Sequence, residues 1–315
     1  MKRFEENSFL ITGGSGFLGS FVVNKLKERG CQKLFVARSQ EFDLREKGDI
    51  VKLLSKVHPD IIIHCAAVVG GIQANCNAPA KFFYDNLIMG IQLIELSRRF
   101  EVEKLVLIGT VCSYPKYIPV PFKEEKFWDG YPDKTNAPYG LAKKALLVQS
   151  QAYHKQFGFN SIYLIPSNLY GPGDNFDTES SHVIPALIKK CFDAIREKKD
   201  EIVVWGDKNV TRDFLYVKDC AEAVVLATER YNKIEPVNIG TGNEISIQEL
   251  IDLIVKYTGF KGNVTWDSSK PSGQPRRWLD VGKASREFSF IAKTSLEEGL
   301  QKTIEWYGQN NVNSR

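Results

Sequence analysis

Tyr139 and Lys143 stand four positions apart in the run Asn136-Ala137-Pro138-Tyr139-Gly140-Leu141-Ala142-Lys143-Lys144. Pro138 suits a first helical turn, where its missing N–H costs nothing, and Leu141, Ala142, Ala145 and Leu146 recur at helical spacing. The helix period sets the phenol and the amine on one face, about 6 Å apart along the axis. A phenol with an ordinary pKa of about 10 is a poor acid or base at neutral pH, and an adjacent ammonium stabilises its phenolate. The spacing therefore predicts an acid–base pair with Lys143 drawing the Tyr139 pKa down. Such a pair is common on packed helices, so its meaning depends on what accompanies it.

The first companion is a phosphate cradle. Ser8-Phe9-Leu10-Ile11-Thr12 reads as a buried strand and ends at Gly13-Gly14-Ser15-Gly16-Phe17-Leu18-Gly19, after which Phe21, Val22 and Leu26 mark an amphipathic helix closed by Gly30. Glycines at 13, 16 and 19 allow a tight turn, a close backbone approach to a pyrophosphate and helix-on-strand packing, with the helix N-terminus toward the anion. A second strand over Lys33-Leu34-Phe35-Val36-Ala37 ends at Arg38-Ser39, where a site built for a ribose 2′-hydroxyl places an acid. A guanidinium and a hydroxyl suit a 2′-phosphate, which points to NADP(H).

The elements that must hold these groups alternate strand and helix. Helices are expected over Ile50 to Val57 and Asn86 to Arg99, and buried strands over Asp60 to Ala67, Lys104 to Gly109 and Ser161 to Ile165. His64 falls inside an apolar run, where a satisfied structural histidine is expected. Val68 to Asn75, with Gly70-Gly71, and Thr110 to Pro115 are loops released at strand C-terminal ends, the edge where open parallel sheets bind ligands. The expected fold class is α/β: a Rossmann-type doubly wound parallel sheet with a smaller α/β C-terminal substrate domain. Residues 1–180 form the first domain, with contributions from about 210–240, and 181–315 form the second, in which Ser246 with Glu249 three positions on reads as a capping box, Gln274 to Arg277 as a loop and Gln309 to Arg315 as a frayed end.

Composition excludes several classes. The chain has 315 residues, 43% of them hydrophobic, with a net charge of only +4, so it supports a large core and carries no nucleic-acid footprint. Cys31, Cys65, Cys76, Cys112, Cys191 and Cys220 include no CxxC pair, which predicts reduced thiols with neither a metal site nor a disulfide framework. Neither a secretory leader nor an apolar run of membrane-spanning length is visible, so a soluble cytoplasmic protein is expected.

The pattern resembles the extended short-chain dehydrogenase/reductase superfamily through Gly13-x-x-Gly16-x-x-Gly19, Thr110 and Tyr139-x-x-x-Lys143. More narrowly it is similar to the GDP-L-fucose synthase family. That likeness rests on Val69-Gly70-Gly71-Ile72-x-Ala74-Asn75, Cys112-x-Tyr114-Pro115-Lys116, Thr135-Asn136-x-Pro138-Tyr139 and Asn168-Leu169-Tyr170-Gly171-Pro172-x-Asp174-Asn175-Phe176. It extends to Ser181-His182-Val183-Ile184-Pro185-Ala186-Leu187 and Lys270-Pro271-x-Gly273-x-Pro275-Arg276. The loop has Gly14-Ser15 where many members carry an arginine, which leaves the 2′-phosphate to Arg38. The triad hydroxyl is Thr110 where serine is frequent, and either supplies the same donor and acceptor.

The resemblance implies 3,5-epimerisation of GDP-4-keto-6-deoxy-D-mannose followed by NADPH-dependent reduction at C4. Cys112 and His182 would be the epimerisation pair, because inverting a carbon beside a ketone needs a base on one face and an acid on the other. Tyr139, Lys143 and Thr110 would serve the reduction. The implied cofactor contacts are Gly13, Ser15, Gly16, Phe17, Leu18, Gly19, Arg38, Ala66, Tyr139, Lys143, Pro166, Asn168, Leu169 and His182. The implied substrate contacts are Asn168, Val183, Lys190, Trp205, Arg212 and Lys270, the basic residues meeting the diphosphate and Trp205 the guanine. A homodimer through helices near 86–99 and 140–157 is the family expectation. The alternatives are a single-activity 4-reductase or epimerase on another nucleotide sugar, and a non-catalytic NADP-binding sensor.

Overall fold

The computed structural model describes residues 3–177, 180–269 and 273–311. In chain order the elements are β1 (Phe9–Thr12), α1 (Phe17–Glu28), β2 (Leu34–Ala37), α2 (Lys47–Val57), β3 (Ile61–His64), α3 (Ile72–Asn77), α4 (Pro79–Arg99), β4 (Lys104–Ile108), α5 (Ala137–Phe157), β5 (Ser161–Pro166) and β6 (Asn168–Tyr170). They continue with α6 (Val183–Glu197), β7 (Glu201–Trp205), β8 (Thr211–Arg212), β9 (Phe214–Tyr216), α7 (Val217–Arg230), β10 (Val237–Ile239), β11 (Ile245–Ser246), α8 (Ile247–Thr258), β12 (Asn263–Asp267), β13 (Arg276–Arg277), α9 (Gly282–Phe288) and α10 (Leu296–Asn311).

Six of these strands form a parallel sheet in the order β10-β5-β4-β3-β1-β2. The chain runs outward from β1 to β2 and then returns past β1 to β3, so the order reverses beside β1. That switch point opens a crevice at the carboxyl ends of β1 and β3. Strand residues alternate faces: Phe9, Ile11, Ile63, Val106 and Leu164 pack under α1, α7 and α9, whereas Leu10, Ile62, Leu105, Leu107 and Tyr163 pack under α2, α4 and α5. A third apolar cluster joins α6, α8 and α10 to β7 and β9 through Leu187, Ile188, Ile202, Leu250, Ile251 and Leu300.

Several boundaries differ from those expected. The helix expected from Asn86 begins at Pro79, because Pro at the first position needs no N–H partner and so opens α4. The stretch 274–277, read as a loop, contains β13, which pairs in parallel with β8. Its partners lie far away in sequence, so no local period marks it. The C-terminal helix continues to Asn311, beyond the fraying expected from Gln309.

Candidate active site

The carboxyl ends of β1 to β5 contribute walls of one cleft of about 1200 Å³. Gly13 ends β1 at φ 67, and a Cβ there would lie 2.6 Å from the Ala66 amide nitrogen, so only glycine allows the two strand ends to meet. A Cβ on Gly19 would overlap the Gly13 carbonyl oxygen. Gly16 is the N-cap of α1 and supplies no side-chain cap, which leaves first-turn N–H groups pointing out of the helix. A bare helix N-terminus behind a glycine cradle fits the pyrophosphate of a dinucleotide. Ser15, Phe17, Leu18 and Ala66 line the same wall.

β4 releases Thr110, whose Oγ1 accepts the Cys112 amide at 3.1 Å and so caps the 3₁₀ turn Val111–Ser113. Accepting that bond leaves the hydroxyl hydrogen able to donate elsewhere. The turn is pressed against α5: a Cβ on Gly140 would come within 2.5 Å of the Cys112 carbonyl oxygen, and Ser113 Oγ donates to the Gly140 carbonyl at 2.7 Å. The Tyr163 hydroxyl, from β5, donates to the Lys143 carbonyl at 2.8 Å and ties α5 to the sheet. Asn136 is the N-cap of α5, and Pro138 falls in its first turn as the sequence predicts.

Tyr139 and Lys143 both lie in the cleft wall and are both buried. Burial lowers the Lys143 ammonium to about 8. The effect expected on Tyr139 is reversed. Burial is the largest influence and pushes the phenol pKa up, negative charge at Cys112 adds to it, and the Thr110 hydroxyl alone opposes. Desolvation dominates because the phenol sits in the protein wall, so Tyr139 holds its proton at neutral pH.

His182 is the N-cap of α6 and faces the cleft. The ring is open to the cleft, and the protein walls around it still desolvate it enough to lower its pKa and favour the neutral imidazole. The Gly70-Gly71 pair explains how this residue arrives: Gly71 N donates to the Ser180 carbonyl at 2.9 Å, and a Cβ on Gly71 would overlap the Ser181 carbonyl oxygen. His64 is buried in β3 and its Nδ1 shares a 2.7 Å hydrogen bond with Thr12 Oγ1, whereas Nε2 is buried without a hydrogen-bond partner, so the ring is only half satisfied where a satisfied histidine is expected.

Pro166, Asn168, Leu169 and Val183 also line the cleft. Asn168 Nδ2 donates to the Asp213 carbonyl at 2.9 Å, which fixes the amide. At the far end Lys190 Nζ donates to the Val203 carbonyl at 2.7 Å and sits 4.9 Å from the centre of the Trp205 ring. Trp205 is half exposed and lines the cleft. Arg212 is buried, with Nη1 donating to the carbonyls of Thr211 and Gln274, each at 2.7 Å. Burial first, and then the charge of Arg277, lower it to about 9.

Two expected contacts stand apart. Arg38 is exposed at the end of β2 and is not among the cleft-lining residues, whereas its neighbours Ser39 and Gln40 are. Lys270 lies outside the described residues. Conversely, Asn136 and Arg277 reach the Cys112 sulphur and were not among the expected site residues. A signal for Asn136 was its place two residues before Pro138. Arg277 had only its adjacency to Arg276, an exposed residue paired with Glu244.

Residues 9–240 match the NAD dependent epimerase/dehydratase family. The chain is 43% identical to GDP-L-fucose synthase of Sinorhizobium fredii over 300 residues, 95% of each chain. A solved GDP-L-fucose synthetase from Naegleria fowleri, bound to NADP, superposes with a TM-score of 0.90 at 28% identity, covering 100% of this chain and 98% of that one. A GDP-6-OMe-4-keto-L-xylo-heptose reductase from C. jejuni does so with a TM-score of 0.90 at 27% identity, covering 97% and 99%.

Proposed function

The chain belongs to the NAD dependent epimerase/dehydratase family, and from that premise we propose that it makes GDP-L-fucose, by 3,5-epimerisation of GDP-4-keto-6-deoxy-D-mannose and then NADPH-dependent reduction at C4. The observation that carries this reading is the meeting of Cys112, Tyr139 and His182 in one cleft, between a glycine cradle and the basic far end formed by Lys190 and Arg212.

The ketone at C4 acidifies the hydrogens on C3 and C5. Cys112 or His182 removes one such proton, the bonding pair passes to the C4 oxygen as an enolate, and the other residue protonates the carbon from the opposite face. A thiol and an imidazole suit the exchange of these roles, because each changes protonation state within reach of neutral pH. Bound NADPH would supply the hydride at C4. Tyr139 holds the proton that the C4 oxygen receives, Thr110 donates a hydrogen bond to that oxygen, and Lys143 binds the nicotinamide ribose. Reduction removes the acidity of C3 and C5, so epimerisation comes first. The cradle of Gly13, Gly16 and Gly19 holds the pyrophosphate, and Ser39 at the cleft edge, with Arg38 beside it on the exposed end of β2, meets the 2′-phosphate. Lys190, Arg212 and Lys270 meet the GDP diphosphate, with Trp205 against guanine.

Heavy water provides the test. With GDP-4-keto-6-deoxymannose and no cofactor, the enzyme is expected to place deuterium at both C3 and C5, measured by mass spectrometry. Absence of exchange above the enzyme-free rate overturns the epimerase half. The likeness to the C. jejuni heptose reductase favours a second reading, a GDP-sugar 4-reductase, which reduces without exchanging both positions.

We further propose two interleaved units, 1–180 with about 210–240 and 181–315, which the pairing of β10 with β5 supports. A homodimer through α4 and α5 is supported by Phe83, Tyr84 and Val148, which those helices expose. Work in the cytoplasm is supported by six free cysteines, and no helix among the described residues is long and apolar enough to cross a membrane.

A further inference from the structure

Two nitrogen donors converge on the Cys112 sulphur. Asn136 Nδ2 lies 3.3 Å from Sγ and Arg277 Nη1 lies 3.5 Å from it. Both donors are buried, Asn136 and Arg277 each being 6% exposed. The Asn136 side chain makes no cap bond to α5, although the residue occupies the N-cap, so its amide is committed to the sulphur. The guanidinium is aimed by a third residue: Arg277 Nε donates to Gln274 Oε1 at 3.1 Å. Gln274 Nε2 in turn grips the carbonyls of Pro115 at 3.1 Å and Lys116 at 2.7 Å, and its own carbonyl accepts from Arg212. One buried glutamine thus joins β13 to the segment that follows Cys112.

The chemistry of sulphur gives this convergence a direction. A thiol is a weak acceptor and a thiolate a strong one, so donors that meet at Sγ favour the form able to take a proton. Charged and titratable groups face it from several elements. Arg277 on β13 and Arg212 on β8 are neighbouring cations; the charge of Arg277 helps to lower the Arg212 guanidinium, and negative charge at Cys112 opposes that. Tyr139 on α5 holds its proton, while His182 and Lys143 share the cleft wall. Asp133, the acid that also acts on Arg212, is itself paired with Lys116 Nζ at 3.0 Å.

We propose that Arg277 and Asn136 hold Cys112 as the proton-accepting thiolate of the epimerisation, with Gln274 as the positioning residue that aims Arg277. This rests on the reading of the site as an epimerase. In the step itself an S–H bond forms as the C–H bond beside the ketone breaks, and the electron pair moves to the ketone oxygen. The guanidinium loses its anionic partner only when the proton has moved, and exchange of the thiol with water restores the pair.

The test is the pH dependence of Cys112 alkylation by iodoacetamide in the full chain, followed on the Cys112 peptide by mass spectrometry. Each variant is scaled to its own limiting rate at high pH, which removes differences in access. Arg277→Met is expected to move the midpoint up by at least one pH unit, roughly a tenfold slower reaction at pH 7. Asn136→Ala is expected to move it in the same direction by less, and Arg277→Lys to recover most of the parent profile. Gln274→Leu is expected to fall between the parent and Arg277→Met. Midpoints for Arg277→Met and Asn136→Ala that coincide with the parent overturn the proposal. Should Arg277→Met fail to fold, the Asn136→Ala midpoint decides alone. Alkylation uses no sugar, so this outcome is separate from whether deuterium enters at C3 and C5.

Discussion

At the scale of residues, burial sets the working state of each reacting group. Tyr139 keeps its proton at neutral pH because desolvation dominates its surroundings, and a protonated phenol is what a developing alkoxide needs. Tyr139→Phe is therefore expected to cut C4 reduction by about 10²-fold or more while deuterium exchange at C3 and C5 persists, read in parallel assays. Lys143 shows what such a site costs. Its folded-state pKa of about 8 is below the ordinary lysine value, so the unfolded chain binds this proton more tightly than the folded one. The penalty is fully present below pH 8 and fades as the pH rises from 8 toward about 10.5. Lys143→Met, close in volume, is expected to raise the melting temperature at pH 7 by several degrees while reduction falls by about 10²-fold. The gain in melting temperature should shrink steadily above pH 8. A variant that melts below the parent at pH 7 contradicts the account.

At the scale of elements, position comes from close approach between backbones. α4 and α5 pack so tightly that a Cβ on Gly90 would overlap the Leu146 side chain, and Gly140 brings the start of α5 against the turn that carries Cys112. Gly140→Ala is expected to displace that turn, lowering C3 and C5 exchange at least about tenfold, since a shift near 1 Å in a reacting group costs up to about 10²-fold. NADPH binding, followed by its fluorescence, should stay within about twofold because the glycine cradle lies on α1. Unchanged exchange would show that the contact positions nothing. Ser246 and Glu249 form the reciprocal cap expected from their spacing, with Glu249 N donating to Ser246 Oγ at 3.1 Å and Ser246 N to Glu249 Oε2 at 2.9 Å. Ser246→Ala should cost about 1 kcal/mol in chemical denaturation and leave turnover intact.

At the scale of the whole molecule, the cleft lies where the parallel sheet's switch point meets α6 and the short strands that follow it. α4 and α5 turn Phe83, Tyr84 and Val148 to solvent at 41%, 61% and 51% exposure, apolar surface that a second copy of the chain would cover. Sedimentation is expected at twice the 35.6 kDa chain mass, and Val148→Glu with Tyr84→Lys is expected to return it to the single-chain value. A parent that sediments as a single chain at micromolar concentration rules out that interface.

Local rules determined much of this from the order of residues alone. Short-range sterics and periodicity mark the glycine cradle after β1, the Tyr139–Lys143 spacing on α5, the Ser246 cap and the alternation of strand and helix, because each depends on neighbours a few positions away. The tertiary structure decided what depends on distant partners. It buried Tyr139 deeply enough to reverse the direction of its pKa, left Arg38 exposed and off the cleft lining, and made a strand of Arg276–Arg277 against β8. It also carried Arg277 across 165 positions to the sulphur of Cys112. Desolvation and long-range pairing are properties of the assembled surroundings, and no window of sequence contains them.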